Sequence, residues 1–202
     1  GLSSGDSTFG GTFDAGDFAR GASAGGVSTG GIYGFDTGRG DYALGVQPGG
    51  SDFTPGTFEL RVENTTGNAL QAIDVAYDIK VFNDQDRGNT LDFAWSTDGT
   101  TFTAVPDLDF ESTEPSDSPA SWVTVARSTT LIGINVPAGG NLFLRWSSDD
   151  STGGGSRDEL AIDNVTLAEA AAPAVVLTKS GPDVGLAGEN LTYTIEFDNP
   201  ST

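Results

Sequence analysis

Five acidic residues are concentrated in one stretch of the chain, LFLRWSSDDSTGGGSRDELAIDNVTL, residues 142–167. They are Asp149, Asp150, Asp158, Glu159 and Asp163. Carboxylate oxygens gathered on turns are the ligands that Ca²⁺ prefers. The stretch therefore predicts a structural calcium site, with Asp14 or Asp36 as weaker candidates for further oxygen ligands. The alternative is a solvated acidic loop that binds nothing.

Two predicted strands position these acids. Residues 142–146 alternate between two faces, which is the period of a β-strand. In the second strand the apolar residues of 160–162 occupy even positions, whereas those of 165–167 occupy odd positions. A regular strand cannot direct both sets to one face, so we expect a β-bulge at Asp163-Asn164. Such a bulge would re-aim the Asp163 carboxylate.

The composition excludes several kinds of chemistry. The 202 residues include no cysteine, methionine or histidine, so Ser-His and Cys-His nucleophile pairs and zinc sites with His or Cys ligands are excluded. A net charge of −20 disfavours binding to nucleic acid or to an anionic membrane. No apolar run is long enough to predict a membrane span. The chain begins with glycine, which predicts a processed chain or an excised fragment whose signal peptide is gone.

The rest of the chain predicts an all-β protein. Short segments with a period of two alternate with glycine-rich turns, including the hairpin signal Asp98-Gly99. We therefore predict a two-sheet antiparallel β-sandwich, a jelly roll, over residues 1–168, with a first strand near 8–13. Residues 122–125 and 131–136 are predicted as separate strands, and 106–121 as a long exposed loop. The acidic segment 83–89 is interpreted as a plain loop, because it lacks the EF-hand pattern.

The run that includes GTFELRVENTTGNALQAIDVAYD, VPAGGNLFLRW and LAIDNV resembles a family of secreted bacterial jelly-roll domains. The similarity covers residues 30–168. Domains of this kind occur in surface or exported proteins, and their shape is similar to that of lectins and carbohydrate-binding modules. In related jelly rolls the aspartate of the I-D-[DN]-V strand often holds a structural calcium ion, and Asp163 occupies that position. The resemblance implies Tyr33, Tyr42 and Trp122 as candidate sugar-stacking rings.

The C-terminal part resembles another family. After a linker at 169–173, residues 174–202 are similar to the opening of an immunoglobulin-like repeat of prokaryotic surface proteins, with the shared pattern T-K-x-x-P followed by T-Y-T-I. The segment is predicted to be either a partial repeat or a strand exchanged with a neighbouring copy. The residues predicted for such an inter-subunit contact share one parity: Leu191, Tyr193, Ile195 and Phe197.

Two functions are consistent with the sequence. The first is a non-catalytic structural or adhesive module at the bacterial cell surface or outside the cell. In one form of this hypothesis it is a fibre subunit in contact with copies of itself or with further domains. The second is a calcium-stabilised carbohydrate-binding module with glycan partners. A glycosidase is disfavoured, because no carboxylate pair stands out among 29 acidic residues.

Overall fold

The computed structural model describes residues 19–38, 40–49, 55–171, 176–182, 184–188 and 190–198. Their thirteen strands are β1 (Ala19–Ser23), β2 (Gly31–Asp36), β3 (Tyr42–Gln47), β4 (Gly56–Glu63), β5 (Leu70–Phe82), β6 (Asn89–Ser96), β7 (Thr103–Ala104), β8 (Phe110–Glu111), β9 (Trp122–Val136), β10 (Asn141–Asp150), β11 (Glu159–Glu169), β12 (Val176–Ser180) and β13 (Thr194–Asp198). The predicted all-β class is confirmed. The strand predicted near residues 8–13 and the candidate ligand Asp14 lie outside the described residues.

The strands form two sheets that pack as a sandwich, together with a small separate sheet. The six-stranded sheet has the order β1-β2-β3-β11-β5-β9. The five-stranded sheet contains β4-β10-β6-β7, with β8 also paired to β6. Strands β12 and β13 pair with each other as a third, two-stranded sheet. The predicted antiparallel sandwich is confirmed: among the described strands, all pairs are antiparallel except β1–β2, which is parallel.

Alternation of side chains along the strands explains the core. One face of β5, whose apolar residues alternate with polar ones, packs against Leu144, Trp146 and Phe93 of the five-stranded sheet. Apolar side chains at every second position bury one face of each sheet in this way. Trp146 is 1% exposed, so the side chain belongs to the core.

The predicted bulge in the last long strand is confirmed. The pairing of β11 with β5 shifts register between Asp163 and Thr166. Within the described part of the chain, Asn164 is the only residue other than glycine with a positive φ, at 52°. The bulge lets the apolar residues on both sides of it face the core despite their change of parity.

Two sequence predictions for the middle of the chain are wrong. Residues 122–136 form one continuous strand. Strand β9 pairs with β5 along nearly its whole length, so the polar residues between the two predicted strands are also kept in the extended conformation. The segment 106–121 is not simply an exposed loop. It contains a short 3-10 helix (Pro106–Leu108), and Leu108 is fully buried in the core. The Leu108 carbonyl accepts a 2.7 Å hydrogen bond from the buried Tyr77 hydroxyl, which holds the segment against the sandwich.

Candidate functional site

The five predicted calcium ligands do not converge on one point. Asp149 and Asp150 end β10, where Asp149 is exposed and accepts a hydrogen bond from the Asp150 main-chain N–H. Asp150 Oδ2 forms a 2.5 Å salt bridge with the buried guanidinium of Arg157. The calcium role predicted for Asp149 and Asp150 stays a prediction.

Asp163 lies in a separate polar cluster on the six-stranded sheet. Its Oδ2 is 3.6 Å from Lys80 Nζ, and the same ammonium is 3.7 Å from Asp78. Asn164 donates a 2.8 Å hydrogen bond from Nδ2 to Asp78 Oδ2. The bulge does re-aim Asp163, but it directs the carboxylate to a lysine and not to the acidic loop. The calcium role predicted for Asp163 stays a prediction.

Asp158 and Glu159 are neighbours in sequence, yet their environments differ. Both are 0% exposed. Besides burial, the negative charge of Asp84 contributes to a raised pKa of both carboxyl groups, but their hydrogen bonds come from different segments. Asp158 Oδ1 accepts a 3.0 Å hydrogen bond from the Gln85 main-chain N–H, while Glu159 Oε1 accepts a 2.6 Å hydrogen bond from the Val27 main-chain N–H.

Asp84, which follows β5 two residues after its end, brings a further carboxylate to Glu159. Burial raises the pKa of Glu159 to about 8, and the negative charge of the neighbouring Asp84 contributes to this rise. Burial likewise raises the pKa of Asp158 to about 6. Among the described residues, no lysine or arginine forms a salt bridge with either Asp84 or Glu159. The pair therefore concentrates negative charge without a protein counter-charge.

Gln47 completes the group that we call the acidic pocket: Gln47, Asp84 and Glu159. Because Val46 pairs with Leu160 in antiparallel register, Gln47 lies beside Glu159 on the adjoining strand. Each member has a buried side-chain oxygen without a hydrogen-bond donor: Gln47 Oε1, Asp84 Oδ1 and Glu159 Oε2. Buried acceptors without partners are costly, so neighbouring residues that carry three of them form a candidate binding site.

A connection between two strands crosses the sheet over this pocket. Residues 24–30, which we call the strap, join β1 to β2 and supply the Val27 N–H that bonds Glu159. Gly25 lies over the Phe82 ring, where an added Cβ would come within 3.0 Å of a ring carbon, and its φ is +104°. The Ala24 carbonyl accepts a 2.8 Å hydrogen bond from Trp122 Nε1. The strap thus touches the acidic pocket and the aromatic side chains beside it.

The donor set limits the chemistry of the pocket. In the described part of the chain, no three acidic side chains are grouped closely enough to hold a metal ion by themselves. Carboxylate, amide and main-chain oxygens together suit a hard cation such as Ca²⁺, which takes six to eight oxygen ligands. A proton shared between Asp84 and Glu159 is the other way to neutralise the pair.

Two of the three aromatic candidates for sugar stacking pack against other aromatic rings. Tyr33 is 6% exposed and stacks on Phe35 at a centroid distance of 5.1 Å. Trp122 packs between Phe35 and Phe82, at 5.1 and 5.2 Å, and is half-buried. Tyr33 is therefore too buried to stack on a sugar, while the role predicted for the half-buried Trp122 stays a prediction. Tyr42 is 56% exposed and is the remaining candidate.

An apolar cleft opens between the two sheets close to Tyr42. It has a volume of about 260 Å³. Its lining contains Leu44, Phe58, Glu59, Leu60, Trp146, Ile162 and Val165. Tyr42 is two residues from Leu44 along β3, so both side chains lie on the same face of that strand. Leu44 is 47% exposed, so the cleft is accessible from solvent.

The four residues predicted for inter-subunit contact are exposed. Leu191 and Tyr193 precede β13, whereas Ile195 and Phe197 lie within it. Their exposed fractions are 43%, 42%, 61% and 77% in that order. The strand begins at Thr194, later than expected from the sequence.

No family model and no curated protein matches this chain. Several solved structures do show a similarity. The carbohydrate-binding module TmCBM61, solved with beta-1,4-galactotriose, has 17% identity and a TM-score of 0.37, covering 65% of this chain and 73% of its own. A carbohydrate-binding module specific for non-crystalline cellulose, CBM28, has 10% identity and a TM-score of 0.42, covering 68% and 79%. A CBM4 structure has 17% identity and a TM-score of 0.34, covering 71% and 91%.

Asp84 and Gln47 are not among the residues predicted from the sequence. Asp84 belongs to the segment 83–89, interpreted there as a plain loop, and Gln47 ends a short strand whose partner the sequence does not identify. The sequence feature that could have indicated Asp84 was the run of oxygen-bearing side chains in Asn83-Asp84-Gln85-Asp86.

In the described residues, no helix has the length and apolar character needed to cross a bilayer.

Proposed function

We propose that this chain is a non-catalytic, calcium-stabilised binding module of a secreted or cell-surface protein, with glycans as its ligand class. The observation that carries the calcium part is the acidic pocket. The half-buried Asp84 and the fully buried Glu159 lie together without a salt bridge to any described residue, and each retains a buried oxygen without a donor. A bound divalent cation would neutralise this charge and occupy the free lone pairs.

Calcium suits the pocket better than other metals. The available atoms are all oxygens, and the chain has no cysteine or histidine to supply softer ligands. Gln47 offers a neutral amide oxygen, which is a common calcium ligand. Mg²⁺ demands a tighter octahedral shell and releases its water reluctantly, so we expect Ca²⁺ to bind more tightly.

Calorimetric titration of the chelator-treated protein with CaCl₂ and MgCl₂ tests this proposal. At a calcium concentration about 100-fold above its Kd, the free energy of unfolding should rise by about 2.7 kcal/mol. Asp84→Asn should weaken binding about tenfold or more, whereas the matched control Asp163→Asn should not. Absence of calcium binding would refute the calcium part of the proposal. Loss of binding only in Asp163→Asn would show that the ion binds at the cluster around Lys80 and not at the acidic pocket.

The glycan part is supported by the apolar cleft and by Tyr42 beside it. Sugar rings present C–H faces that pack on aromatic and aliphatic side chains, and the rim residue Glu59 offers a carboxylate for hydroxyl groups. A glycan array should reveal binding that Tyr42→Ala reduces and that the control Tyr193→Ala leaves intact. If no glycan binds with or without EDTA, this part fails while the calcium part stands.

The surface-fibre role predicted from the sequence is a second candidate. The observation in its favour is the exposed apolar residues of the C-terminal sheet, with Phe197 at 77%. Sedimentation of the full chain and of a chain truncated after Glu169 distinguishes the two roles. A monomeric full chain at high concentration, or equal assembly of both, would exclude an inter-subunit role for these residues.

A further inference from the structure

We propose that cation binding in the acidic pocket fastens the strap, residues 24–30, across the outer face of the six-stranded sheet, so that the metal-free protein releases this segment. The inference rests on the calcium site proposed above. It assigns a conformational consequence to that site: the ion joins the sandwich to the middle of a connection whose other hydrogen bonds lie at residues 24–25 and 28–30.

The contacts of the strap divide into two groups. At the pocket, Val27 N–H donates to Glu159 Oε1 at 2.6 Å, and a Cβ added to Gly26 would lie 4.0 Å from Asp84 Oδ2. Away from the pocket, the Ala24 carbonyl accepts a hydrogen bond from Trp122 Nε1. The Ser28 carbonyl accepts a 3.0 Å hydrogen bond from Ser156 Oγ. The Thr29 and Gly30 carbonyls accept hydrogen bonds from Tyr33 and Arg20, and Val27 packs against the apolar cluster on this face of the sheet. The strap is therefore held at both ends, and its middle approaches both carboxylates.

Electrostatics makes this attachment depend on the ion. The strap lies over two carboxylates whose mutual repulsion is unfavourable when both are ionised. A cation between them removes the repulsion, and main-chain carbonyls of the glycine-rich strap can approach it closely because glycine has no Cβ. Without the ion, either a proton or water must relieve this repulsion, and water reaches the carboxylates when the strap opens.

The conformation of the strap adds to this dependence. Gly25 and Gly26 have φ values of +104° and +70°. Glycine adopts such positive φ values without steric strain, but in the unfolded chain it also samples many other conformations. Fixing such residues carries a large entropic cost. The bound cation is the interaction that offsets this cost.

Trp122 provides a test that leaves the pocket oxygens untouched. Ligand binding and strap closure are reciprocal, so weakening the strap elsewhere must weaken calcium binding. Trp122→Phe removes the Nε1–H donor to Ala24 and keeps an aromatic side chain beside Phe82. The loss of one hydrogen bond should raise the calcium Kd about 2- to 10-fold. The matched control, Trp95→Phe, changes a half-buried tryptophan on the other sheet and should leave the Kd unchanged.

Hydrogen exchange measured by mass spectrometry on the full chain gives a direct readout. Peptides that cover residues 24–30 should exchange about tenfold faster or more in EDTA than in CaCl₂, while peptides from the core of β5 should exchange equally in both. Equal exchange of the strap in both conditions, with calcium binding intact, would overturn the fastening of the strap alone. Failure of calcium to bind in calorimetry would overturn the fastening together with the calcium site.

Discussion

Among single residues, Glu159 is the most consequential side chain. It is fully buried, it accepts one main-chain hydrogen bond from the strap, and its second oxygen has no donor. Burial raises its pKa to about 8, so at neutral pH the metal-free pocket favours the protonated form. A protonated carboxyl carries no charge and so makes no ionic contribution to stability. A bound cation would favour the ionised form and form an ionic interaction with it.

Replacement of Glu159 should therefore have opposite consequences in two conditions. In EDTA, Glu159→Gln keeps the shape and removes a charge that the site disfavours, so the free energy of unfolding should stay the same or rise. In saturating calcium the variant should lose most of an increment of about 2.7 kcal/mol. Urea unfolding at pH 7 measures both values. Equal destabilisation in EDTA and in calcium would mean that Glu159 acts only through its hydrogen bond to Val27.

Asp98 illustrates a carboxylate whose role is structural. Its Oδ1 accepts 2.7 Å hydrogen bonds from the main-chain N–H groups of Thr101 and Thr100, and these bonds hold its pKa well below the usual range. Because the folded-state pKa is depressed, the stabilisation is present at neutral pH and is lost as the pH falls toward that pKa. Asp98→Ala should thus lower the urea midpoint at pH 7, and the difference from wild type should shrink below about pH 4. A difference independent of pH would contradict this account.

Among the elements, close packing between strands decides which residues the six-stranded sheet can accept. Gly45 of β3 lies beside the Phe35 ring, and an added Cβ would be 2.5 Å from Ala161 Cβ and 2.6 Å from a Phe35 ring carbon. Such contacts force strands or rings to move. The small residues of β3 and β11 therefore allow Phe35 to reach Trp122 and close the aromatic cluster beneath the strap.

A pair of glycine substitutions tests this packing. Gly45→Ala should destabilise the protein by about 1–3 kcal/mol, as overpacking commonly does. Gly34→Ala serves as the control, since the nearest atom to its added Cβ is Tyr42 Cδ1 at 3.8 Å, an ordinary contact. Thermal unfolding of both variants is the measurement. Equal stability of the two variants would show that Phe35 and β11 adjust without cost.

For the molecule as a whole, the formal charge of −20 is the dominant feature. Repulsion among acids destabilises the compact state, and salt screens it over about 10 Å at 0.1 M ionic strength. Unfolding midpoints should therefore rise between about 0.02 and 0.5 M NaCl. Calcium should raise them further at equal ionic strength, because site binding adds to screening. Identical curves in NaCl and CaCl₂ at matched ionic strength would argue against a specific site.

Local patterns in the chain were enough to predict most strands, the bulge and the kinds of chemistry available. Alternating apolar residues specify a buried face locally, and the change of parity around Asp163-Asn164 requires an extra residue in the strand whatever the neighbours are. The turn at Asp98-Gly99 follows equally from local preferences, and Gly99 has a φ of +72°. The absence of histidine and cysteine restricts any site to oxygen ligands.

The tertiary structure, and not any local sequence pattern, determines which acidic side chains become neighbours. Asp158 and Glu159 are adjacent in the chain, yet they accept main-chain hydrogen bonds from distant and different residues, Gln85 and Val27. Asp84 is far from Glu159 in sequence, and the antiparallel pairing of β5 with β11 brings them together. Asp150 and Asp163, which the sequence predicts as cation ligands, form salt bridges with Arg157 and Lys80. The choice of partner depends on cross-strand register, which long-range packing of the sheets sets and which a single sequence does not display.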